Sequence, residues 1–325
     1  MTSMQAISGA SRRVASRKLM VGIYWAFHTA LAAMVALPLM GAAVSVLSHS
    51  RYATEIMRGF DVMWLFEALS ASRNLPSPMV LPLFLLALLL AVKGGVFLNG
   101  GAVKLLVHDE IGYSPREFYE GCGRNYWRFL RLMLYSLFFY GFALAIGASI
   151  TKAAGKIWGE GLEERPLVFA GYLKNAVQIL LCGFVATAMD YAKVRLVADD
   201  SRQSLRAAFG SVRLAWKNKG TVMGVWLVLL LLWAAATLVY VQVANRIQAV
   251  TIGSILALIA WQQLYVLSRV WLRMTSWGAA AELDPVLRPR QMPPEETAPV
   301  LVEVAAGPPV LEAGAEAEPE AGTQQ

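Results

Sequence analysis

Residues 79–103 read MVLPLFLLALLLAVKGGVFLNGGAV, twenty-five residues with one charge, Lys93. At 1.5 Å per residue such a run covers the roughly 30 Å of hydrocarbon in a bilayer, so it reads as a transmembrane helix. Working outward, five more apolar runs are found at Val21–Leu47, Leu132–Ile150, Leu167–Met189, Thr221–Val243 and Val250–Leu267. The chain of 325 residues is 57% hydrophobic and 16% charged, against about 25% charged residues in ordinary soluble domains. A mean hydropathy of +0.50 agrees. The fold class expected is all-α: a polytopic transmembrane helical bundle of about six spans with interfacial amphipathic helices. Soluble enzyme folds are excluded for most of the length.

The net charge of +7 conceals two blocks. Residues 1–274 carry 27 of the 29 Lys and Arg against 13 acids, a balance of +14, and the last 51 residues carry two Arg against nine acids, a balance of −7. Three parts follow: a basic N-terminus (1–20), a six-span membrane domain (21–274) and an acidic tail rich in Pro, Ala and Glu (275–325). The tail lacks aromatic residues beyond Trp277 and is expected to be disordered, because it cannot bury enough apolar surface to offset its ordering entropy. Counting Lys and Arg on alternate sides gives 20 against 7. The positive-inside rule then puts both termini and both long basic loops in the cytoplasm of an inner-membrane, multi-pass protein. Arg12, Arg13, Arg17 and Lys18 precede a first apolar run too long for a typical cleaved signal, so that run is expected to stay as an anchor.

Two of the loops share a construction. In the first, Ser114, Pro115, Arg116 and Glu117 match a capping box with Pro at the first helical position, so a helix should start there. Apolar Phe118, Cys122, Tyr126 and Phe129 then recur at helical spacing beside a basic stripe of Arg124, Arg128 and Arg131. The second repeats the pattern with Leu205, Phe209, Val212 and Trp216 beside Arg202, Arg206, Arg213 and Lys217. Such helices suit the headgroup layer, with rings at the interface and cations near anionic lipid. The plainer reading, and the favoured one for the loops by themselves, is that they are positive-inside connectors. Each feeds a span in the same sense, which suggests a degenerate parallel repeat. On the other side, Thr54–Ala71 is expected to form another interfacial helix.

An N-terminal span, an amphipathic external segment and two basic helices each feeding a span together resemble a broad group of bacterial six-helix integral membrane proteins. That group is similar to the membrane domain of some glycerophosphodiester phosphodiesterases. The likeness covers residues 20–275 and rests on Phe118–Leu132 and Asp190–Trp216. It implies a fold and carries no catalytic residue over, since no phosphodiesterase domain is attached.

Chemical signatures are sparse. His28, His49 and His108 belong to separate segments and form no His-Glu-x-x-His pattern, and neither a Gly-x-Ser-x-Gly elbow nor a phosphate-binding glycine loop occurs. No cofactor, metal or nucleic-acid partner is expected. Cys122 and Cys182 fall in different compartments of the predicted topology, which argues against a disulfide. The candidates left are polar residues inside spans, because burying them in lipid is costly enough that they face a cavity or a partner. Lys93, Asn99, Lys174, Gln178 and Gln262 form a candidate polar pathway, with the glycines at 94, 95, 100 and 101 marking either a broken span or a frayed one. Lys174 is shallow enough to snorkel, Asp190 should pair locally with Lys193 or Arg195, and Gln262 and Gln263 suit interhelical hydrogen bonds. The leading expectation is a non-enzymatic protein that supports or organises membrane components, its basic stripes Arg124, Arg128, Arg131, Arg206, Arg213 and Lys217 engaging anionic headgroups or a membrane or cytosolic protein partner. The alternative is a small-solute or lipid transporter.

Overall fold

The apolar runs fold into helices that overshoot their own hydrophobic limits. The computed structural model describes residues 2–47, 77–108, 112–158, 164–247 and 251–288, and among these the chain forms eight α-helices and no strand. They are α1 (Ser3–Ser16), α2 (Lys18–Leu47), α3 (Ser77–Val107), α4 (Pro115–Trp158), α5 (Glu164–Ala198), α6 (Ser204–Lys217), α7 (Lys219–Ala244) and α8 (Ile252–Leu287). All but α1 and α6 are long and apolar enough to cross a membrane, which makes six candidate spans. The expected external helix at 54–71 and the tail from Pro289 onward lie outside the described residues.

α4 starts at Pro115 as its sequence predicts, yet Glu117 turns its carboxylate to Lys104 of α3 at 2.6 Å instead of back to the cap. The helix then runs without a break for 44 residues, roughly 66 Å at 1.5 Å per residue. The first basic stripe is therefore the lower part of a span and not a separate helix. α8 likewise continues through Leu287, with Met274, Trp277 and Leu283 buried. The helix thus continues about a dozen residues past 274, because apolar residues keep recurring on one face of α8. The basic N-terminus is ordered too: α1 opens with a capping box between Thr2 and Gln5 and buries Ala6, Ile7, Ala10 and Val14, packing chiefly on α8.

Two populations of apolar residues separate along the helices. Toward the end where α1 and α6 sit, called here the basic end, side chains such as Leu105, Leu106, Phe118, Tyr191, Met274 and Trp277 are fully enclosed. Along the spans, large apolar residues such as Leu85, Phe138, Phe142, Leu231 and Leu256 are exposed. Exposure on that scale requires an apolar surrounding, and hydrocarbon supplies it. In lipid the hydrophobic effect does not hold helices together, so close packing of small residues must. Gly100 and Gly101 do this where α3 meets α4. A methyl group on Gly100 would stand 2.8 Å from the Gly121 carbonyl oxygen, and one on Gly121 would stand 3.1 Å from the Gly101 Cα. The glycine-rich stretch is thus neither broken nor frayed; it lets two continuous helices touch.

α8 is the central element, packed against α1, α2, α3, α5 and α7. Gly278 accepts Ala10 of α1 at its surface, and Arg13 meets Glu282 at 3.2 Å.

Candidate functional site

The chemistry gathers where α2, α3, α5 and α8 meet near the basic end. Asp190 of α5 is 1% exposed. Burying a carboxylate costs several kcal/mol unless partners replace its water, and here five donors do so. Arg273 donates through both terminal nitrogens, each at 2.9 Å. Ser276 Oγ donates at 2.9 Å and Trp277 Nε1 at 3.0 Å. Lys193 Nζ, one turn along α5, completes the set at 3.2 Å. Arg273, Ser276 and Trp277 occupy i, i+3 and i+4 of α8, so a single helical turn delivers four of the five hydrogen bonds.

Aromatic contacts extend this knot. Lys193 Nζ and the Arg273 guanidinium lie 5.4 and 5.1 Å from the centre of the Trp277 ring. The ring meets Tyr24 of α2 edge-on at 6.0 Å, and Tyr24 Oη donates to Asn99 Oδ1 of α3 at 3.0 Å. Four helices are therefore tied at one level.

Two cavities adjoin the knot. The larger, about 630 Å³, is lined from α2 by Tyr24 and His28, from α7 by Trp226, Leu229, Leu230 and Trp233, and from α8 by Val266, Arg269, Arg273 and Trp277, among others. The smaller, about 260 Å³, lies among α3, α4, α5 and α8 and includes Lys193 and Tyr140. Gly95, Asn99 and Arg273 line both, so these residues form the partition between them.

Of the pathway residues expected from the sequence, Asn99 stands in that partition. Lys93 is exposed and lines neither cavity. Lys174 and Gln178 are half-buried on α5, Gln178 against Gly147 of α4, and also lie away from the cavities. Gln262 is exposed, whereas Gln263 accepts from Trp25 Nε1 and Thr29 Oγ1 of α2, both at 3.0 Å. Asp190 does pair with Lys193, but Arg195 goes to Asp284 at 2.9 Å instead. Cys122 and Cys182 are both free.

Sequence reasoning missed Arg269, Arg273, Ser276 and Trp277, because it ended the sixth span at Leu267 and treated what followed as flanking charge. The signal was available: Arg269, Arg273 and Trp277 repeat every fourth residue, one face of a helix that simply continues.

The basic stripes divide. Arg124 and Arg128 clamp Asp200 at 2.5 and 2.6 Å, and hydrogen bonds from Arg128 and then Arg124 hold the Asp200 carboxyl below its usual range. Arg131, Arg206, Arg213 and Lys217 are exposed and meet no carboxylate among the described residues. Around α6 three faces follow one another. Ser204, Ala208, Ser211 and Ala215 are buried. One residue on, Leu205, Phe209 and Trp216 remain 48%, 55% and 69% exposed, with Phe209 edge-on to Phe139 of α4 and Trp216 edge-on to Phe184 of α5. A further residue on come Arg206, Arg213 and Lys217.

Six long apolar helices with lipid-type surfaces make this an integral membrane protein. Comparison with known protein families, curated proteins and solved structures returns no match for the chain.

Proposed function

We propose that this is a non-enzymatic inner-membrane protein that supports or organises membrane components, with its basic end in the cytoplasm and α6 seated in the headgroup layer. The observation that carries this reading is α6 itself. Its small-residue face packs on the bundle, its apolar Leu205, Phe209 and Trp216 stay about half exposed or more, and Arg206, Arg213 and Lys217 meet no carboxylate among the described residues. A helix of that design lies with its rings at the acyl boundary and its charges among anionic headgroups. The 20 to 7 bias of Lys and Arg supports the orientation.

Hydrogen exchange of residues 204–217 in nanodiscs tests the headgroup reading. Exchange should be slower in phosphatidylglycerol than in phosphatidylcholine, and the difference should vanish in R206Q/R213Q/K217Q. Equal exchange in both lipids reduces the stripe to a topological signal. Reporter fusions test the orientation: Gly210 should report cytoplasmic, Ser70 and Gly161 external, and an external Gly210 would overturn it.

A second reading, passage of a solute or lipid, is favoured by the two cavities that meet at Asn99 and Arg273. A liposome panel for solute uptake and lipid scrambling tests it, and an inactive panel with folded protein removes it.

A further inference from the structure

The larger cavity carries an imbalance of charge. Arg269 and Arg273 both line it, and among the described residues no carboxylate does. Asp190 answers Arg273, but it also holds Lys193, so two cations share that one carboxylate and neither leaves it free for Arg269. Arg269 lies 6.0 Å from the Tyr265 ring and meets no carboxylate among the described residues. A bare cation inside a span is costly, and such residues mark places where a counter-charge is bound. Standing at i and i+4 on α8 and lining one cavity, the two side chains share a helix face from which both can approach one anion, Arg273 with the N–H groups that Asp190 does not take.

The walls say what kind of anion. α2 and α7 both pack on α8 without packing extensively on one another, so the cavity is a groove floored by α8 and walled by spans. Its α7 wall, with Leu230 and Trp233, is apolar, and Trp233 is 39% exposed. A small hydrophilic anion would gain nothing from that wall. An amphiphile would use both parts.

The geometry points to a discrete site for one anionic membrane lipid in the groove between α2, α7 and α8, its headgroup phosphate held by Arg269 and Arg273 and one acyl chain lying along Leu230, Trp233 and Val266. This goes beyond the surface engagement of α6 and uses none of its residues, so either reading can fail alone. At about 630 Å³ the groove is within the usual range of small-molecule sites.

Native mass spectrometry of the purified full-length protein tests the site with phosphatidylglycerol, phosphatidylcholine and inorganic phosphate as probes. One phosphatidylglycerol should be retained in preference to phosphatidylcholine. Arg269→Gln should weaken retention about five-fold, the worth of one cation beside an anionic headgroup. Because Arg269 is exposed and meets no carboxylate among the described residues, its loss should leave the thermal midpoint unchanged. Val266→Trp, which narrows the acyl end and keeps both arginines, should also expel the lipid, whereas R206Q/R213Q/K217Q should retain it. Millimolar inorganic phosphate should not displace the lipid; displacement would show that the groove takes a free anion and overturn the lipid assignment. Equal retention of the two lipids, or retention indifferent to both groove variants, would overturn the site.

Discussion

The basic stripe on α4 and the basic stripe on α6 share an amphipathic pattern in sequence and differ in structure. On α4, Arg124 and Arg128 close on Asp200, and the helix passes straight into its span, pinned to α3 through Gly101 and Gly121. On α6 the helix stops at Asn218 before the next span begins at Lys219, and its cations find no carboxylate among the described residues. What separates the two is the supply of acid. Asp190, Asp199, Asp200, Glu117, Glu120 and Asp284 are each engaged with a Lys or Arg at the basic end. Where a carboxylate arrives, a basic residue becomes part of the scaffold; where none arrives, it stays available to lipid.

The strongest challenge to that rule is removal of its most buried carboxylate. Asp190→Leu would leave Arg273 and Lys193 uncompensated and should cost about 3–5 kcal/mol, read as a large fall in thermal midpoint in detergent. Recovery of much of that loss by pairing it with Arg273→Leu would locate the cost in the orphaned charge. If Asp190→Leu unfolds no earlier than the native protein, the knot is not what ties the four helices.

Gly101→Val should come next, at about 1–3 kcal/mol from overpacking, since the added atoms run into Phe118 and Cys122 of α4. The same change at Gly210 of α6, where the nearest obstacle is the tip of Arg195 at 3.3 Å, should be far milder. Similar losses at both positions would mean that the two stripes are equally pinned.

R206Q/R213Q/K217Q should leave the thermal midpoint in place and weaken the affinity of a peptide spanning 204–217 for anionic vesicles by roughly 1 kcal/mol per charge. The smallest effect belongs to Asp200→Asn. Asp200 is half exposed, so stability should barely move, but Arg124 and Arg128 are released and the α4 stripe should begin to distinguish anionic from neutral lipid, as proposed for α6. Acid should do the same reversibly. With its carboxyl held low by two arginines, Asp200 keeps its clasp at neutral pH and loses it only as the pH falls through that lowered value, below the ordinary range near 4. Lipid preference at α4 that rises between pH 7 and 5 would contradict the assignment.

The spans were legible because twenty-odd apolar residues in a row admit few other readings, and the start of α4 was legible because Pro115 suits the first helical position. The ends of α4 and α8 were not, since hydropathy marks where a helix leaves lipid, not where it stops being helical. The Asp190 knot was half legible. Lys193 is three residues away, but Arg273, Ser276 and Trp277 are more than eighty residues distant in the chain, and only the packing of α8 on α5 brings them near. Lys93 attracted notice as the lone charge of its span, yet the face it occupies is fixed by which side of α3 carries the glycines against α4.

The most direct test of the account is the depth of α6. A spin label at Phe209→Cys, in a background with Cys122→Ala and Cys182→Ala, reports by its relative access to oxygen and to a water-soluble nickel complex. In bilayers containing phosphatidylglycerol the label should sit at the acyl boundary, favouring oxygen, and R206Q/R213Q/K217Q should shift it toward water. A label equally water-exposed with and without those three charges would contradict the claim that uncompensated cations hold this helix in the membrane surface.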